Sequence, residues 1–255
     1  HEGDQKSSQL VQISADGEVE EIGEVLRDIQ ILGIVTKEDK VGLAGYILSS
    51  ERTSGWFGVL DSDAQLLWSK SLGDGQFNKL KSISIDQKGD VLSCGYTTPG
   101  DPENWDIWLL NWDWDGNILF ETIWGGEFKD GCKNVKESSS GIHFVGDTES
   151  FGADGWDVLR GTLNMDGGVS AWEHFGEEGD DYAYDFHQEG DRMFWVGSLE
   201  EDGNRIAWAE METIAGDIEQ VDSGEERISS RCGCGDSGQG LLLLPLIWGW
   251  SRRKR

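Results

Sequence analysis

Apolar and polar residues alternate along this chain in short bursts, and almost never at helical spacing. Runs of six to nine residues rich in Val, Ile, Leu and Trp are separated by clusters of Gly, Asp, Asn and Ser, as in VLSCGY, DIWLLNW and NILFETIW. Such runs read as strands, and the clusters between them read as turns. Over one well-defined stretch the pattern predicts strands at about 91–96, 106–113, 117–124 and 132–137. The Asp-Gly pairs at Asp16-Gly17, Asp115-Gly116 and Asp166-Gly167 predict tight hairpins. No connection is long enough for a crossover helix, so neighbouring strands are expected to be antiparallel.

The pattern repeats about every 50 residues. Gly45, Gly95, Gly146 and Gly197 recur after the same kind of apolar run, as do Gly73, Gly125 and Gly176 after a later one. Trp56, Trp105 and Trp156 recur at similar steps and are read as equivalent positions; Trp68, Phe120 and Trp172 are read as a second equivalent set. Four-stranded antiparallel units at this period are the pattern of propeller blades. The expected fold is all-β: a β-propeller of about five four-stranded blades, incomplete at the N-terminus, followed by a short apolar C-terminal tail. The units are a tail at 1–8, a partial repeat at 9–40, full units at 41–90, 91–141 and 142–191, a partial repeat at 192–222, a linker at 223–238 and a terminal segment at 239–255.

The runs GWDVLRGTLNMDGG and NWDIWLLNWDWDGNILFETIWGG resemble the tandem repeats of secreted bacterial and archaeal propeller proteins, over residues 9–222. The resemblance implies the repeat architecture; such repeats serve many functions.

Composition narrows the partners. Of 255 residues, 49 are acidic and 21 basic, a formal net charge of −28, which argues against a nucleic-acid partner. Thirteen Trp and 36 Gly fit short strands and tight turns and argue against disorder. The four His and four Cys form no zinc pattern. No G-x-S-x-G, H-E-x-x-H or phosphate-loop motif occurs.

Three sets of residues are candidates for chemistry. Asp113 and Asp115, with Asp61 and Asp63 as their copies, resemble the start of a calcium loop, but the remaining ligands are missing and a hairpin turn already calls for these residues. No cofactor is expected, calcium being the one considered. Trp112 and Trp114 do not recur in the other units and are the better candidates for ligand stacking among the Trp, although core or rim packing is the favoured reading of both. The acidic segments at 127–130 and 177–181 read as solvated loops. Cys94 and Cys132 fall in the first and fourth strands of one unit, which are not neighbours within a blade; that placement argues against a disulfide between them, while an oxidising compartment would permit one.

After residue 221 the periodicity stops. Cys232-Gly233-Cys234, a short apolar run at 240–250 and Arg252-Arg253-Lys254-Arg255 follow in that order. This order resembles the MYXO-CTERM class of sorting signals, found on surface proteins of myxobacteria and their relatives. The resemblance implies processing by a membrane protease, with Cys232 or Cys234 as the attachment point. The expected function is a non-enzymatic propeller displayed at a bacterial cell envelope, a binding or structural module for an extracellular protein or glycan. A glycan-active enzyme with carboxylates in the channel and a calcium-stabilised adhesin are the alternatives.

Overall fold

A computed structural model describes residues 7–49, 52–73, 76–100, 103–152, 155–176, 178–201, 203–213 and 228–232. Every regular element among them is a strand. A hairpin of β1 (Ser7–Ile13) and β2 (Val19–Arg27) comes first. Four antiparallel meanders of four strands follow, called blades 1 to 4. Blade 1 holds β3 (Ile29–Lys37), β4 (Lys40–Leu48), β5 (Thr53–Leu60) and β6 (Leu66–Leu72). Blade 2 holds β7 (Lys79–Ile85), β8 (Val91–Thr97), β9 (Asp106–Trp112) and β10 (Ile118–Trp124). Blade 3 holds β11 (Asp130–Ser138), β12 (Gly141–Thr148), β13 (Asp157–Leu163) and β14 (Val169–Phe175). Blade 4 holds β15 (Tyr182–Glu189), β16 (Arg192–Glu201), β17 (Asn204–Thr213) and β18 (Ile228–Cys232). Consecutive four-stranded meanders of this kind make the fold propeller-like. The β1–β2 turn repeats the β9–β10 turn bond for bond: Gly17 N–H donates to Ser14 O and Ser14 N–H to Glu18 O, as Gly116 does to Asp113 and Asp113 to Asn117.

Strand positions at 91–137 match the sequence reading to within about two residues, but the sheets are phased differently from the repeat. The strand at 130–138 pairs with β12, not with β10. Each blade therefore takes the fourth strand of one sequence unit and the first three of the next. Periodicity sets the length of a repeat and leaves its starting point open. In addition, residues 228–232 within the expected linker pair with β17 as the last strand of blade 4.

The recurring glycines have a single cause. The first strand of every blade carries a one-residue bulge, between Ile31 and Gly33, Leu80 and Ser82, Cys132 and Asn134, and Ala183 and Asp185. Opposite it on the second strand stand Gly45, Gly95, Gly146 and Gly197, where an added Cβ would overlap the carbonyl oxygen of Gln30, Lys79, Gly131 or Tyr182. A bulge crowds its partner strand, and only glycine leaves room.

The same register corrects the tryptophan alignment. Gly45, Gly95, Gly146 and Gly197 pair with Trp56, Trp108, Leu159 and Trp208, so these are the equivalent residues. Trp105 and Trp156 precede their strands at a different position, equivalent to Thr53. The β4–β5 connection is two residues shorter than its copies in blades 2 and 3, which brought Trp56 into false register. Trp172 is likewise one place out of step with Trp68 and Phe120, and in a strand one place means the opposite face.

The core lies between blades. Phe57, Leu80, Trp108 and Trp112 are buried between blades 1 and 2. Leu92, Leu109, Phe144 and Leu159 are buried between blades 2 and 3. Val145, Phe186, Met193 and Trp195 lie between blades 3 and 4. Leu43, Trp56 and Leu60 pack under the β1–β2 hairpin with Leu10 and Ile22. A buried Trp contributes roughly 4–6 kcal/mol of transfer free energy, so the aromatic content is spent on joining blades.

Candidate ligand-binding face

Aromatic rings and cations assemble along one side of the stack, at the ends of strands of successive blades. Tyr96 stacks on Trp105 at 5.2 Å between ring centroids, Trp105 on Trp156 at 6.4 Å, and Trp156 on Tyr182 at 6.5 Å. The Lys79 ammonium lies 4.4 Å from the centre of the Tyr46 ring and 5.9 Å from that of Tyr96. Lys81 lies 4.8 Å from Tyr96 and Lys129 4.9 Å from Trp105. At the far end Lys133 lies 5.4 Å and Arg205 4.8 Å from Tyr182. Rings so placed attract cations through their quadrupoles.

The fold explains why these residues meet. Tyr46 and Tyr96 directly follow the glycine opposite a bulge. Lys81 and Lys133 are the extra residues of the bulges in β7 and β11, where Leu32 and Tyr184 occupy the copies in blades 1 and 4. Asp147 holds the tyrosine position in blade 3. It is buried, and Lys133 Nζ pairs with its Oδ2 at 2.5 Å. Burial pushes the Asp147 carboxyl up to about 6, against the Lys133 and Lys81 ammonium groups that hold it down. Burial, and next the Lys133 ammonium, pull the Lys81 amine down to about 8. Burial pushes the Tyr96 phenol up to about 12. Beside the blade 4 end of the ladder is a cleft of about 220 Å³, lined by Phe175, Leu199, Ile206 and Trp208, with Asp181 and Glu200.

The residues singled out in the sequence lie elsewhere. Trp112 and Trp114 are buried between blades 1 and 2: Trp112 stacks on Phe57 at 5.0 Å and donates to Ser93 Oγ at 2.9 Å, and Trp114 donates to Gly89 O at 2.8 Å. Neither ring face is open to a ligand, so both are packing residues. Asp61 and Asp113 organise hairpin turns. Asp61 Oδ1 accepts from the N–H groups of Asp63 and Gln65. Asp113 Oδ1 accepts from Asp115 and Asn117 N–H, at 3.0 and 2.8 Å, and Oδ2 from the Asn117 side-chain amide at 2.7 Å; that side-chain bond first, and then the backbone ones, hold its carboxyl below the usual range. Asp86 does the same work in the β7–β8 turn. Among the described residues no three His, Cys, Asp or Glu side chains are grouped as a metal site requires. Cys232 ends β18; Cys234 and residues 240–255 lie outside the described residues.

Two expectations are corrected outright. Cys94 and Cys132 form a disulfide, because their strands belong to different blades that face each other. Of the acidic segments, Asp130 and Asp181 are fully buried. Asp130 meets Asp106 around Gly125, and Asp181 meets Asp157 around Gly176, where an added Cβ would strike both carboxylates. Asp130 Oδ2 accepts from Gly126 N–H and Ser150 Oγ, each at 2.7 Å. Burial raises the Asp130 carboxyl; burial and the Asp130 charge raise that of Asp106. A fully buried Asp130 is closed to a substrate, so this pair belongs to the blade junction. Its sequence signal is the recurrence of Trp-Asp at 105–106 and 156–157 with Asp130 and Asp181 in step.

No family model and no curated protein matches the chain. Two solved structures of Sqt1 from Chaetomium thermophilum are similar over 71% of this chain at 12% identity, with TM-scores of 0.40 and 0.41. The chain spans 43% and 44% of the length of those two proteins, less than half.

Proposed function

We propose that this chain is an exported, non-enzymatic binding module that holds its ligand on the lysine–aromatic face and is displayed at a bacterial cell envelope through its C-terminal segment. The observation that carries the binding reading is the gathering of Lys79, Lys81, Lys129, Lys133 and Arg205 on four aromatic rings in a chain whose net charge is −28. Aromatic surface with nearby charged donors is the usual make-up of a recognition site. Export is supported by the Cys94–Cys132 disulfide, which an oxidising compartment preserves and a reducing cytosol does not. Display is supported by the likeness of residues 231–255 to a sorting signal.

Two experiments test this. Intrinsic tryptophan fluorescence of the purified protein, titrated with soluble cell-envelope glycans and peptides, is expected to respond saturably, and Trp105→Ala with Trp156→Ala to abolish the response. A ligand bound equally by that variant overturns the face assignment. In the native host, deleting residues 233–255, which leaves β18 intact, is expected to release a folded protein into the medium, and Cys232→Ser with Cys234→Ser to weaken retention. A folded truncated protein that stays on the cell surface overturns the sorting assignment.

A further inference from the structure

We propose that Lys81 and Lys133 form an anion site on this face, and that the ligand therefore carries a carboxylate or phosphate group. The inference rests on the binding-face reading above and narrows it to a ligand class.

The two lysines are repeat equivalents. Each is the extra residue of a bulge on the first strand of its blade, and the blades are adjacent. A bulge residue has no partner in the ladder, so the strand's alternation does not dictate where its side chain goes. Both ammonium groups come to rest against tyrosine rings, Lys81 on Tyr96 and Lys133 on Tyr182. Lys79, two residues before Lys81, brings a third ammonium to Tyr96. Neighbouring blades thus aim three cations at one region.

Lys81 and Lys133 both act on one described carboxylate, Asp147. Asp147 is the carboxylate that meets Lys133, and among the described residues no carboxylate lies within ion-pair distance of Lys81. In a chain with 49 acidic residues and 21 basic ones, two ammonium groups to one carboxylate run against the composition. A half-buried ammonium with no carboxylate at ion-pair distance is disfavoured by lost hydration and further by Lys133 beside it, and the Asp147 charge offsets this only in part. That combination depresses the Lys81 amine to about 8, which still leaves it charged at neutral pH. An incoming anion removes both penalties at once. The surrounding rings offer apolar walls to the rest of such a ligand. The acidic remainder of the surface repels long polyanions, which selects small acids over charged polymers.

Calorimetric titration at low ionic strength with sodium glucuronate, inorganic phosphate and, as the neutral counterpart, glucose tests the proposal. Glucuronate or phosphate is expected to bind saturably, and the difference between them identifies the preferred headgroup. Lys81→Gln with Lys133→Gln is expected to weaken that binding at least about tenfold, while Lys37→Gln, at a distant turn, leaves it unchanged. Saturating anion is also expected to shift the Lys81 titration upward in amine-detected NMR of the intact protein, a readout that needs no variant. Glucose binding as tightly as glucuronate overturns the anion site while leaving the binding face standing. Absence of saturation by either anion, or an unmoved Lys81 titration, also overturns it.

Discussion

Cys94 on β8 and Cys132 on β11 join blades 2 and 3 covalently, with their Cα atoms 5.7 Å apart inside the apolar layer between the two sheets. The bond closes a loop with a sequence separation of 38, so it restricts the unfolded chain as well as the blade junction. Cys94→Ala with Cys132→Ala is expected to lower unfolding free energy by roughly 3–4 kcal/mol, read from urea titrations of oxidised protein. Reducing agent should lower the wild type and leave the variant unmoved. Equal stability of the two proteins under oxidising conditions refutes the cross-link.

Gly95 faces the Lys79 carbonyl across the β7 bulge. Gly95→Ala must move one strand off the other, and a cost of roughly 2–4 kcal/mol is expected. Gly100→Ala, where an added Cβ meets nothing within 4 Å, serves as the control and should change the urea midpoint little.

Asp113 spends its carboxylate on the turn between β9 and β10. Asp113→Ala is expected to cost up to about 1 kcal/mol, by the same amount in EDTA and in millimolar calcium. Melting curves with calcium and with magnesium should superpose. A rise of many degrees with calcium alone returns Asp113 and Asp115 to the role of ligands.

Burial raises the carboxyls of Asp147, Asp130 and Asp106 above their unfolded value of 3.8. Between that value and the raised one the folded protein binds more protons than the unfolded chain, so stability rises as pH falls through this window. For Asp147 the window runs from about 6 down to 3.8 and is worth up to roughly 3 kcal/mol. Within the same range the buried His143 imidazole, lowered by burial, opposes this gain, and below it the depressed Asp113 and Asp16 reverse the trend as they protonate. The melting temperature is therefore expected to be higher near pH 5 than at pH 7, and Asp147→Asn to reduce that gain. A melting temperature falling steadily from pH 7 to 5 contradicts the assignment.

Alternation, Asp-Gly turns and recurring glycines in the sequence by themselves determined that the chain forms short antiparallel strands in units of about 50 residues, because strand and turn preferences are local properties of the chain. Which strands share a sheet was decided only in three dimensions: a repeat has no natural starting point, and blade packing placed the strand at 130–138 beside β12. The fate of single side chains was decided there too. Trp112 looked like a ligand residue because it broke the repeat, and packing against Phe57 buried it. Asp130 looked like part of a solvated loop, and the step from one blade to the next buried it beside Asp106. Cys94 and Cys132, apart in any single blade, became neighbours once two blades faced each other. Lys81 and Lys133 are inconspicuous among 21 basic residues. Only the bulges, which take them out of the strand's alternation, bring both onto the aromatic face.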